Sequence, residues 1–124
     1  MIINLDYTSR IPIYEQIVNE IERYVALGIL KEKEQILSIR ELASNLGINP
    51  NTVKKAYTIL ENRNIIMSMS TKGTFIKENV SKVKEDTISN YINDIEKIID
   101  KLNKLGLSKE EIIKRIKWEK LIKY

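Results

Sequence analysis

Apolar residues recur at helical spacing in three stretches of this chain and turn strand-like in a fourth. Ile13, Ile17, Ile21, Tyr24 and Val25 follow one another at intervals that put a single stripe on one helix face. Pro12 suits the first turn of that helix, where a missing N–H costs nothing, and Gly28 supplies its C-terminal stop. Ahead of it, Ile2 to Leu5 fits a short strand and Tyr7 to Ile11 a connection; behind it, Lys31 to Gln35 is charged and loop-like. Ser38 with Glu41 three residues later makes a capping box, and Asn49 followed by Pro50 makes a cap with proline at the first helical position. Two short helices are therefore predicted in close succession, with Gly47 free to take the positive φ that ends the first. Ile65 to Met69 and Thr74 to Lys77 are β-prone runs around Ser70, Thr71, Lys72 and Gly73, a hairpin with a polar, basic tip. Ile88, Tyr91, Ile92, Ile95, Ile98, Ile99, Leu102 and Leu105 then alternate steps of three and four along a long helix. Gly106 breaks it, Ser108 with Glu111 forms a second capping box, and Ile112, Ile113, Ile116 and Leu121 mark a last helix over 108–122.

The pair of short helices carries the chemistry. Leu42, Leu46, Ile48, Val53 and Ala56 are the positions that pack them together, and Ala43 is small where they must cross closely. Asn49, Asn51, Thr52, Lys54 and Lys55 are left on the outer face and leading end of the second. A helix docked N-terminus first into a major groove presents such positions to bases and phosphates. The amides of Asn51 and Thr52 at that helix start also favour an anion. Three helices followed by a hairpin make a winged helix-turn-helix. The expected fold is thus mainly α with a small β-hairpin wing: a DNA-binding domain over 1–78 and a two-helix C-terminal dimerisation region over 79–124. The tail's seam comprises Ile88, Tyr91, Ile92, Ile95, Ile99, Leu102, Leu105, Ile112 and Ile116. It has no partner of its own length in the chain, so a homodimer is expected.

Composition narrows the function classes. The 124 residues contain neither Cys nor His, so thiolate sites and the commonest general base are absent. Asp94, Glu96 and Asp100 lie among lysines on a solvated face, so neither an enzyme nor a metal or other cofactor is expected. No apolar run approaches the roughly 20 residues of a membrane span, and the N-terminus lacks a secretory pattern, so a cytoplasmic protein with no membrane partner is expected. Net charge is +4, but residues 1–78 hold ten basic against nine acidic side chains. Support for nucleic acid is therefore local: Lys54, Lys55, Arg63, Lys72 and Lys77 against Glu61 and Glu78.

Four blocks in order carry a resemblance: PIYEQIVNEIERYVALG (Pro12 to Gly28), SIRELASNLGI (Ser38 to Ile48), TVKKAYTILE (Thr52 to Glu61) and KGTFI (Lys72 to Ile76). Over about two thirds of its length the chain resembles the GntR family of bacterial transcription regulators. NPNTVKKAY, the short helical tail and GLSKEEII (Gly106 to Ile113) look like its YtrA-type branch. The resemblance implies a regulator, a repressor by likeness, that binds a two-fold symmetric double-stranded DNA operator as a homodimer. It matches Arg40 to a DNA-contacting arginine, Asn49, Asn51, Thr52 and Lys54 to the start of the recognition helix, and Lys72, Gly73 and Thr74 to a wing tip that reaches toward the minor groove. Leu37 stands where the family has proline, Asn64 where it has glycine, and Ser70 and Thr71 where basic or glycine residues are common. From the residues alone, Arg40 is either a base or phosphate contact or the partner of Glu41 or Glu61. Tyr91 and Trp118 either pack the dimer, the preferred reading, or line a small pocket; a small-molecule effector is left open but not indicated. The competing function is a winged-helix module for protein contact or architectural DNA binding without operator specificity, which calls for an apolar patch or a larger positive charge.

Overall fold

The computed structural model describes residues 1–78 and 80–121 and orders them as α1 (Ile13–Ala26), β1 (Gln35–Ile36), α2 (Ile39–Leu46), α3 (Pro50–Asn62), β2 (Ile66–Met69), β3 (Gly73–Ile76), α4 (Val80–Lys104), α5 (Lys109–Arg115) and α6 (Trp118–Leu121). The chain divides into two compact units between Glu85 and Asp86.

In the first unit, Ile17, Val18 and Ile21 of α1 are buried with Leu42 and Ala43 of α2, Val53, Ala56, Tyr57 and Leu60 of α3, and Ile66 and Ile76 of the sheet. Leu46 and Ile48 pack at the edge of the same core, as the pattern requires. Local signals place the helices. Ser38 and Glu41 close a full capping box at α2, with Ser38 Oγ accepting from the Glu41 amide and Glu41 Oε1 from the Ser38 amide. Gly47, at φ 66°, ends α2, and the Ile48 amide returns to the Ala43 carbonyl. Asn64 does for α3 what a glycine usually does: at φ 59° it donates to the Glu61 carbonyl while Ile65 donates to that of Leu60. The first turn of α4 belongs to this unit, with Val80 in the core and Lys84 Nζ donating to the Ala26 carbonyl at 3.0 Å.

Four expectations are corrected. Ile2 to Leu5 forms no strand; Ile3 drops into the core, the Tyr24 hydroxyl donates to the Ile2 carbonyl, and Gln16 holds the backbone of Asp6 and Ile11, so side chains satisfy this segment. Pro12 is the N-cap of α1, one residue before the helix begins. The loop before α2 contributes a third strand: β1 pairs antiparallel with β3, Gln35 opposite Phe75 and Ile36 opposite Thr74, giving the order β1-β3-β2. The final helix is two: Ile116 takes an extended conformation and separates α5 from α6.

In the second unit, Ile112 is buried and Leu102 and Ile116 are half-buried, whereas Ile88, Tyr91, Ile92, Ile95, Ile98 and Leu105 along α4 are exposed. Ile112 therefore leaves the free seam, because its own chain already covers it. The box at α5 is half formed: Ser108 Oγ accepts from the Glu111 amide and donates to the Glu111 carboxylate, while the Ser108 amide takes no part. Trp118 Nε1 donates to the Ile113 carbonyl at 3.1 Å. The expected limits at residues 79 and 122–124 lie outside the described residues.

Candidate nucleic-acid interface

α3 turns two faces in opposite directions. Val53, Ala56, Tyr57 and Leu60 go into the core, which leaves Asn51, Lys54, Lys55 and Thr58 exposed on the other side, with Thr52 half-buried at the margin. Thr58 continues the stripe begun by Asn51 and Lys54; the same helical period that identified those two reaches it, and it belongs with them. Arg40 is exposed one residue into α2, the helix packed against α3.

The fold sorts the basic side chains. Arg63 Nη1 lies 2.5 Å from Glu22, Lys33 2.9 Å from Glu78, and Lys77 Nζ donates to Asn64 Oδ1 at 3.1 Å. The Glu78 carboxylate holds the Lys33 ammonium above its usual range. Glu41 is occupied by the Ser38 cap, and Glu61 accepts from the Ser68 hydroxyl at 2.6 Å. Neither reaches Arg40, which has no side-chain partner among the described residues; the same holds for Lys54 and Lys72. Lys55 sits over the Tyr14 ring, 3.9 Å from its centroid, a cation–π contact that fixes its direction. Periodicity carried no sign of that pairing, since Tyr14 lies on another helix.

The recognition-helix start is more self-contained than the sequence implies. Asn49 Oδ1 accepts from the Asn51 amide at 2.8 Å, and the Thr52 amide donates to the Asn49 carbonyl at 3.0 Å. Those two amides are thus satisfied within the chain and do not form the expected anion site, and Asn49 is first of all a cap. Thr74 is also corrected. It lies between Ile36 and Ser68 in the sheet and is buried, while the strand's two-residue period turns the flanking Gly73 and Phe75 outward. The wing tip is left to Lys72 and Gly73. Lys72 is exposed, its amide closes the turn on the Met69 carbonyl at 2.7 Å, and Gly73 takes φ 117°.

Tyr57 ties this surface together from beneath. Its hydroxyl donates to the Leu37 carbonyl at 2.6 Å, fastening α3 to the segment that leads into α2. Burial, and secondarily the Glu41 charge, push its phenol well above the ordinary tyrosine range.

Residues 13–76 match the model of the gntR family of bacterial regulatory proteins. The HTH-type transcriptional repressor YtrA of Bacillus subtilis (strain 168) is 44% identical over 77 residues, covering 62% of this chain and 59% of that protein. The chain thus aligns with less than two thirds of that relative. Among solved structures, a transcriptional antiterminator from Listeria monocytogenes EGD-e is similar at 42% identity with a TM-score of 0.72, over 92% of this chain and 86% of that one. The DNA-binding domain of AraR in complex with operator ORR3 is similar at 26% identity and TM-score 0.52, over 59% and 88%.

Proposed function

The chain belongs to the gntR family of bacterial regulatory proteins, DNA-binding regulators of transcription, and from that premise we propose that it is a repressor acting as a homodimer on a two-fold symmetric operator. The observation that carries the reading is the outer face of α3 beside Arg40: Asn51, Lys54, Lys55 and Thr58 exposed together, with the cations unclaimed by any carboxylate among the described residues. In this reading Asn51 and Arg40 read base edges, since amide and guanidinium groups make paired contacts with adenine and guanine. Lys54, Lys55, Thr52 and Lys72 contact phosphate and set the register. The first unit supplies the DNA surface and the second the dimer contact. An α4 stripe with Ile95 half exposed is a poor surface for water and a good one for a second copy.

Selection of bound duplexes from random DNA by the purified protein tests this. Enrichment of an inverted repeat with half-site centres about one helical turn, or a multiple, apart is the expected result. An unpaired half-site, or no enrichment, removes the two-fold reading. A fold built for protein contact would show an apolar patch where the exposed face of α3 is polar and basic. Repression is tested by footprinting the promoter of the protein's own operon and comparing its transcription with and without the gene.

A further inference from the structure

β1 is only two residues long, yet its segment touches each part of the proposed interface. Gln35 Nε2 donates to the Lys72 carbonyl at the wing tip at 3.2 Å. Two residues on, the Leu37 carbonyl receives the Tyr57 hydroxyl of α3, and the next residue, Ser38, caps α2 two positions before Arg40. Gly73 makes room for the first of these contacts. A Cβ built there would lie 2.5 Å from Gln35 Nε2 and 3.4 Å from its Cδ, and its φ of 117° is one that side chains rarely adopt. Phe75, directly opposite Gln35 in the β1–β3 register, brings the two strands into line for the contact.

We propose that Gln35 is a positioning residue for DNA binding: its amide braces the wing tip and holds Lys72 at a fixed place relative to α2 and α3. This rests on the reading above, in which Lys72 meets the DNA backbone. Ser68 already ties the middle of β2 to α3 through Glu61, but the turn beyond it, with Ser70 at φ 25°, would lose its side-chain hydrogen bond from β1, the one such bond among the described residues. A wing held in place beforehand loses less freedom on binding, so the brace acts on affinity through Lys72.

A double-mutant cycle on the full-length protein tests it, using Gln35→Met, which keeps the length of the side chain and removes its donor, together with Lys72→Ala. The probe is the duplex enriched by selection, titrated over a salt series. The expected result is that Gln35→Met weakens binding about three- to tenfold per half-site, as one net hydrogen bond would, and that this loss vanishes when Lys72 is already alanine. Lys72→Ala alone should make the salt slope shallower by about one unit per protomer, about two for the dimer. Equal losses from Gln35→Met with and without Lys72 overturn the brace and leave the wing contact standing. An unchanged slope for Lys72→Ala overturns both. Thermal unfolding of each variant separates a loss of binding from a loss of fold, and a Gln35→Met protein that keeps full affinity also overturns the proposal.

Discussion

Arg40 and Arg63 carry the same guanidinium, but Arg63 already has the Glu22 carboxylate beside it, whereas Arg40 faces solvent from a helix whose own acid, Glu41, is spent on a cap. Removing Arg40 therefore takes nothing from the fold and everything from its surface. Arg40→Ala should cost roughly 1–3 kcal/mol per half-site and relax preference at one base position, while melting unchanged. Operator variants titrated against the two proteins check it; an Arg40→Ala protein that retains full sequence preference reduces that arginine to a phosphate contact. Tyr57 gives a prediction of a different kind. Its phenol is neutral in the fold and raised by burial, so the folded state resists ionisation more than the unfolded chain does. The stability this provides is fully present below the ordinary tyrosine pKa of about 10 and is lost as pH rises beyond it. Tyr57→Phe should cost about 0.5–1.5 kcal/mol at neutral pH for the lost bond to Leu37, and flatten the decline in stability above pH 10. Denaturant midpoints between pH 7 and 11 decide this; parallel alkaline limbs for the two proteins would mean the phenol plays no part.

Helices α1, α2 and α3 were legible because their signals lie within a few residues of one another: a stripe, a capping box, a proline after a cap. β1 was not. Two residues carry no alternation, and what makes them a strand is Phe75 and Thr74, far along the chain. The same non-local pairing turns Thr74 into the core and leaves Gly73 half-buried against Gln35, so neither the direction of the wing residues nor the part played by Gln35 was legible in the sequence. Asn49 shows the other limit. Its residue type fits both a cap and a base reader, and only the 2.8 Å bond from the Asn51 amide gives the cap first claim on its oxygen. Substitution separates these roles. Asn49→Ser keeps a capping oxygen and should preserve both stability and operator preference, whereas Asn49→Ala should lose about 1 kcal/mol of stability. If Asn49→Ser melts normally but binds an altered sequence, the remaining amide group reads a base after all.

At the scale of the whole molecule, charge and assembly have to be considered together. The first 78 residues are almost neutral, so bulk attraction supplies little affinity, and in the proposed dimer it is gathered from few contacts used twice. Arg40, Lys54, Lys55 and Lys72 make four cations per protomer and eight per dimer. Counterion release then sets a slope of log affinity against log salt no steeper than about −7 for the dimer and about half that for a single protomer. The α4 stripe, exposed at Ile88, Tyr91, Ile92, Ile95 and Ile99, is what would join the two. Placing charge there, as Ile95→Glu with Ile99→Glu, should give a monomer in sedimentation whose first unit still melts cooperatively. Its affinity for the inverted repeat should fall by about 10²–10⁴, because the second half-site is no longer held at high effective concentration. Its salt slope should fall by half. The paired substitutions Ile95→Lys and Ile99→Lys, opposite in sign, should give the same monomer and a comparable loss, which separates a broken seam from simple repulsion of DNA by added carboxylates. A wild-type protein that sediments as a monomer at micromolar concentration, or a slope that stays the same once the stripe is charged, would mean that each copy binds DNA alone.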